Sequence, residues 1–350
     1  MSETAVKKRV PVKRWIILGL IVLGIYCAFL GPSILRPVAP VVVLPSEPIG
    51  INIFGFQVTN TILATLIADV VLLIAAVNAW RFAKSGKLVP SGFHNFFEML
   101  VEVFWNMAEG SAGKWARRFF PFTGTIFLLI FTANMVKLLP GFESIGHIVE
   151  SPHGKGYAAV QLLPGVYTID KGQPVQLEHA ASTEGEAQVV EGVPGGAPCQ
   201  ACEIVPFLRG TATDLNFTLA LAVVTVVMVQ IFGVMAVGPG YFEKFLQFRR
   251  LFGGGPFGII DFGVGFLEII LEFAKIISFA FRLFGNIFAG ALLLSIIGAL
   301  TAVAVPPVLY IFEVFFGTIQ AYVFSLLALV FMSQAIAGHH GGGQEHAEAH

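Results

Sequence analysis

The chain has 350 residues, 56% hydrophobic and only 12% charged, with a formal net charge of −1. Soluble domains carry about 25% charged residues, so this composition excludes one and assigns the chain to a bilayer. Balanced charge leaves no basic excess to neutralise phosphates, which excludes nucleic acid as a partner, and three cysteines are too few for a disulfide scaffold.

A hydrocarbon core about 30 Å thick demands about 20 apolar residues of a helix. Six stretches approach that: 15–30, 59–80, 119–139, 214–237, 257–304 and 305–336. The first follows Lys7, Lys8, Arg9, Lys13 and Arg14, which is also how a signal peptide begins. No small-x-small cleavage site follows, so an uncleaved anchor is the favoured reading. Residues 31–57, rich in Pro and Val, read as an extracytoplasmic connector. The second span holds one acid, Asp69, as a packing or lining residue. In 92–118, Phe93, Phe96, Phe97, Leu100, Val101, Phe104, Trp105 and Met107 recur at helical spacing while Glu98, Glu102, Glu109, Lys114 and Arg117 stay off the stripe. That pattern fits an amphipathic helix lying at the interface or packed on its own protein.

The insert 141–210 is dense in Gly, Pro and Glu, with acids exceeding bases by 8 to 3. It predicts short strands and turns or partial disorder. Its Cys199-Gln-Ala-Cys202 is a redox pair, half a metal site, free thiols or, most simply, a local disulfide. Gly253-Gly254-Gly255-Pro256 is a turn before a helix, since no Gly-Lys-Ser/Thr follows to make a phosphate loop. The tail 339–350 holds four His among Gly, Glu and Ala and reads as a solvated end rather than a metal tract.

Lys and Arg fall unevenly: fourteen lie in segments assigned to one side (the N-terminal arm, 81–118 and 244–250) and four in the two opposite segments. The first group is cytoplasmic by the positive-inside rule, which puts both termini in the cytoplasm. The fold class is therefore an all-α integral membrane protein of five to six transmembrane helices, with a long tilted helical hairpin near the C-terminus and an interfacial amphipathic helix. Its expected organisation is an arm, anchor and connector (1–58), two spans with the interfacial helix (59–140), the insert (141–210), core channel helices (211–338) and the tail (339–350).

Ionisable residues inside apolar spans are costly and mark ion paths or internal pairs. They gather in the last two spans: Asp261, Glu268, Glu272, Lys275, Arg282 and Asn286, then Glu313 and Gln320. At about 100° per residue, Glu268, Glu272, Lys275, Arg282 and Asn286 fall within about 80° of one another on one helix face. Glu272 and Lys275 are spaced to pair within the helix. Arg282 has no acid at i±3 or i±4, so its permanent charge needs a counter-ion from elsewhere, such as another subunit. Glu313 and Gln320, seven apart, share a face of the last span, and Pro306-Pro307 marks the reversal that lays it antiparallel to the fifth.

Phe281-Arg-Leu-Phe-Gly-Asn-Ile-Phe-Ala-Gly290 resembles the signature of subunit a of F-type ATP synthases. The likeness extends to Leu267-Glu268 with Lys275 and Ser278, to Ile319-Gln-Ala-Tyr-Val-Phe324, to Asp214-Leu-Asn-Phe-Thr-Leu-Ala-Leu221, and to Asn134 with Leu138-Leu-Pro-Gly141. It covers nearly everything from 52 to 336 and leaves the anchor and the insert as additions. The resemblance implies a non-catalytic stator subunit, without an ATP site or cofactor, that carries protons through two offset half-channels to a ring of c subunits. It implies Arg282 as the essential arginine, Asn286 and Gln320 beside it, and Glu268 in the cytoplasmic half-channel. Ala291 stands where many relatives have an acid or His, and Glu313 where some bacterial members have His, so a relocated carboxylate takes the outer half-channel. Glu143 and His147 are expected at the proton entrance, and Glu272, Lys275 and Ser278 as further lining. Implied partners are the c-ring, the subunit b peripheral stalk, the other synthase subunits and membrane lipid, and the implied location is a bacterial cell membrane. A secondary transporter, the rival class, would show paired repeats with interrupted helices, which this chain lacks.

Overall fold

The computed structural model describes residues 12–30, 46–53, 55–86, 92–139, 141–151, 155–176, 199, 201–245, 256–301 and 305–337. The N-terminal basic arm to residue 11, the connector 31–45, the Gly253–Gly255 turn and the His-rich tail lie outside the described residues, as does the Asp261 side chain.

In chain order the elements are α1 (Val12–Ile25), extended by a π turn at Tyr26–Leu30; the hairpin β1 (Pro48–Ile53) and β2 (Phe56–Thr59); α2 (Asn60–Lys84); α3 (Phe93–Ala112); α4 (Ala116–Val136); strands β3 (Gly146–Glu150), β4 (Lys155–Leu163), β5 (Val166–Gln176) and β6 (Cys202–Pro206); α5 (Leu215–Val237); α6 (Pro256–Thr301); and α7 (Pro306–Ala337). The fold is mostly helical. Among the described residues five helical stretches are long and apolar enough to cross a membrane: Asn60–Lys84, His94–Val136, Leu215–Val237, Phe262–Gly298 and Pro306–Ile336. α1 is a shorter apolar helix.

The boundaries follow local chemistry. Asp214 caps α5, its Oδ1 accepting the Asn216 N–H at 2.9 Å. Gly238, at φ +80°, ends it. Pro306 opens α7 at a position whose N–H would lack a helical partner anyway. α6 runs unbroken for 46 residues, about 69 Å at 1.5 Å per residue, so the fifth apolar segment is one helix longer than the hydrocarbon core is thick.

The structure moves one expected boundary. Gly113, at φ +52°, ends α3 early, and a short 3-10 turn at Gly113–Trp115 leads into α4 at Ala116. Arg117 and Arg118 therefore open the next span instead of closing the amphipathic helix. The aromatic stripe of α3 also divides: Phe104 is buried and stacks on Phe127 at 5.0 Å, and Trp105 meets Phe120 edge-on at 4.9 Å, while Phe96, with ring contacts of its own, is largely exposed. Much of the stripe packs on α4, the intramolecular half of the two expectations.

The chain divides into two compact units. One comprises Leu44–Glu143, Leu208–Ala289 and Val314–His350. Its core joins Phe104, Phe127, Ile130 and Phe131 to Ala222, Val226, Phe279, Leu283, Ala321 and Phe324. Gly317 permits a close helix approach: Asn134 Nδ2 donates to the Gly317 carbonyl at 3.0 Å, and a Cβ on Gly317 would lie 3.1 Å from that of Asn134. The other unit comprises Met1–Val43, Ser144–Phe207 and Gly290–Glu313. It holds an antiparallel sheet in the order β3-β6-β4-β5. A disulfide joins Cys199 to Cys202 at the start of β6, the simplest of the alternatives open for that motif.

Candidate functional site

Within the first unit, α6 buries Phe279, Ala280, Leu283 and Ile287 and leaves Lys275, Ser278, Arg282 and Asn286 along its flank. The spacing explains this. Positions 275, 278, 282 and 286 recur every three or four residues and form one row, while 279, 283 and 287 form the neighbouring row that faces the core. The contacts run antiparallel between α6 and α7: Asn286 meets Gln320, Phe279 meets Phe324 at 4.8 Å and Phe331 at 5.6 Å, and Lys275 lies 5.1 Å from the Phe331 ring.

A cavity of about 310 Å³ opens here, lined by Glu268, Leu271, Ala274, Lys275, Ser278, Phe279, Arg282, Leu327 and Phe331. Four polar side chains thus converge on one largely apolar space. Lys275 Nζ donates to Glu272 Oε1 at 2.8 Å, an ion pair within the helix whose acid is buried beside the cavity. Lys275 also rests over Phe331, a ring that sequence reasoning did not single out. Arg282 is different. It is exposed and forms no ion pair with any described residue. In water such a guanidinium would be unremarkable, but on an apolar span a charge without a counter-ion is costly.

One turn beyond Arg282, Asn286 Nδ2 donates to Gln320 Oε1 at 3.2 Å. Gln320 is buried and its Nε2 has no hydrogen-bond partner among the described residues. The structure therefore brings Asn286 and Gln320 together and gathers Glu268, Lys275, Ser278 and Arg282 in the adjoining cavity, with Glu272 held through Lys275.

Three expected residues sit elsewhere. In the second unit, the Glu313 carboxylate lies over Gly290, where a Cβ would be 3.5 Å from Oε1. His147, on β3 of that unit, meets Phe207 edge-on at 4.3 Å. Glu143 belongs to the first unit, where its Oε1 accepts the Gly210 N–H at 3.0 Å and its own φ is +59°. That bond gives Glu143 a loop-holding part alongside the entrance expected of it. Sequence reading missed a further polar pair: Thr61 Oγ1 donates to Asp214 Oδ2 at 3.0 Å, both residues buried. Nothing about a threonine at the start of an apolar span marks it for a residue 153 positions on. Asp69, half-buried, forms no hydrogen bond or ion pair with any described residue.

A family model described as ATP synthase A chain matches residues 61–333, well over half of the chain. Arg282 and every other residue of the cavity and of the Asn286–Gln320 pair lie inside the match.

Proposed function

This chain belongs to the ATP synthase A chain family, and on that premise we propose that it is the stator subunit whose two offset half-channels feed and drain a rotating c-ring at Arg282. A multi-pass membrane protein and a proton-translocating subunit of the F0 sector is the coarser statement that membership carries. One observation carries the finer one: an exposed guanidinium on an apolar span, beside a polar-lined cavity, without an ion pair among the described residues.

The mechanism follows from charge in a low-dielectric medium. A rotor carboxylate crosses lipid only when protonated, because the bare charge is penalised there by several kcal/mol. Opposite Arg282 it ionises. Two unit charges about 4 Å apart gain about 4 kcal/mol at an effective dielectric of 20. A proton falling through 100 mV releases about 2.3 kcal/mol, so the stabilisation of the pair is of the same order as the energy that drives each step. A guanidinium does not give up its proton, so Arg282 also bars direct passage between the half-channels.

In this reading the cavity with Glu268, Lys275 and Ser278 is the cytoplasmic half-channel, and Asn286 and Gln320 line the path next to Arg282. Glu313 over Gly290 relays protons in the outer half-channel, with Glu143 and His147 at its entrance. The termini are cytoplasmic, in the cell membrane of a bacterium. The Cys199–Cys202 disulfide supports an insert on the oxidising side. The c-ring, the subunit b stalk and membrane lipid are the partners. Arg282→Ala tests the proposal: inverted membrane vesicles lose ATP-driven proton pumping while the complex still assembles. Preserved pumping defeats it.

A further inference from the structure

From Gly156 to Ile169 the β4–β5 hairpin contains no charged residue, although the insert around it is strongly acidic. Lys155 lies just before that run and Asp170 and Lys171 just after it. The side chains buried by the sheet stop at Ile169, and every residue from 161 to 166 is exposed. At the tip Leu162, Leu163 and Val166 are 57%, 63% and 50% exposed, joined by a turn in which Gly165 adopts φ +80°. Among the described residues nothing covers this apolar wedge.

The hairpin is also built to stay extended. β6 pairs with β4 at Tyr157 and Cys202, and the disulfide to Cys199 closes the chain just before that pairing. Gly156 is needed there, because a Cβ would stand 2.5 Å from the Ala201 backbone. A base stapled in this way prevents the tip from folding back to cover itself.

We propose that this tip is a membrane-contact surface, seated in the interface of the lipid leaflet from which the insert emerges. The grading along the hairpin matches a bilayer interface: leucine, proline and valine at the tip, then Tyr167, then charge at the level of Asp170. From Val166 to Asp170 the strand rises about 13 Å, while the headgroup zone on each side is about 5–7 Å thick, so the tip reaches hydrocarbon before the first acid, Asp170, which the sheet buries, comes to that depth. The insert is joined to the spans by 137–145 and 207–214, whose extended lengths are at most about 30 Å each. The charge-free length, not apolarity alone, favours lipid over a protein partner, whose rim would offer polar contacts to match.

Spin labels at the tip test this in the assembled complex, reconstituted in phospholipid bilayers. Cys27 is changed to Ser, the disulfide is kept, and a nitroxide is attached after Leu163→Cys or, as a second site, Val166→Cys, with Lys155→Cys, at the charged end of the hairpin, as the control. Collision with oxygen, which partitions into lipid, is compared with collision with a water-soluble nickel chelate. Contact with lipid gives an oxygen-to-nickel ratio several-fold higher at 163 and 166 than at 155. A tip as open to nickel as position 155, or one shielded from both reagents by a covering protein, overturns the proposal. It rests only on the chain's place in a membrane, so proton pumping by these variants reports separately on the function proposed above.

Discussion

Replacing Glu272 with Gln keeps the shape of the α6 flank but removes the charge that neutralises Lys275. The two groups are 2.8 Å apart, with side-chain exposures of 24% for Lys275 and 10% for Glu272, so neither is swamped by solvent. Lys275 and Arg282 lie seven residues apart on one face, about 10.5 Å along the axis. At an effective dielectric of 20, an uncompensated ammonium at that distance acts on a rotor carboxylate at Arg282 with about 1.6 kcal/mol, a factor of roughly fifteen in how tightly the ion pair is held. The glutamine variant should therefore pump protons more slowly, with roughly fifteen-fold as the upper bound. The double variant Glu272→Gln with Lys275→Gln, which removes both charges, should recover most of the rate. The assay is ATP-driven acidification of inverted vesicles, read with a pH-sensitive fluorophore at equal complex content. Wild-type pumping by the single variant, or a double variant as slow as the single, refutes the reasoning.

Three further outcomes follow from the packing. Asn286→Ala and Gln320→Ala should couple by about 1 kcal/mol in a double-mutant cycle on thermal unfolding of the complex, because the 3.2 Å bond joins them; strictly additive effects contradict it. Gly317→Val should cost about 1–3 kcal/mol by overpacking against Asn134, and Gly317→Ala less; equal thermal stability of the valine variant and wild type would contradict the close approach. Replacing Cys199 and Cys202 with Ser should destabilise the sheet by about 2 kcal/mol on loop-closure grounds and speed proteolysis within 141–210; an unchanged cleavage rate contradicts a stabilising staple.

The spans were legible because a backbone in hydrocarbon must satisfy its own hydrogen bonds, so a long apolar run has one outcome, a helix. The shared face of Lys275, Arg282 and Asn286 was legible for a related reason: helical periodicity fixes which residues share a face wherever the helix goes. Periodicity does not say which helix a face meets. The Asn134–Gly317 contact spans 183 positions and the Thr61–Asp214 bond 153, and each depends on small or short side chains that carry no pattern of their own. The place of Phe331 over Lys275 was hidden for the same reason, since a phenylalanine in an apolar helix looks like any other. In the insert, composition announced turns and strands but not the order β3-β6-β4-β5, because register there is set by close backbone approaches such as that at Gly156. The early end of α3 was signalled only by Gly113, whose positive φ is a property of the folded backbone.

The most direct test of the central claim is the position of the Arg282 guanidinium in the assembled, membrane-embedded complex, determined by imaging several rotary states. The expected result is a carboxylate of a neighbouring chain within about 4 Å of it in at least one state, and no acid of its own chain in any. A guanidinium held in every state by an acid of this chain, or turned toward lipid throughout, contradicts the account.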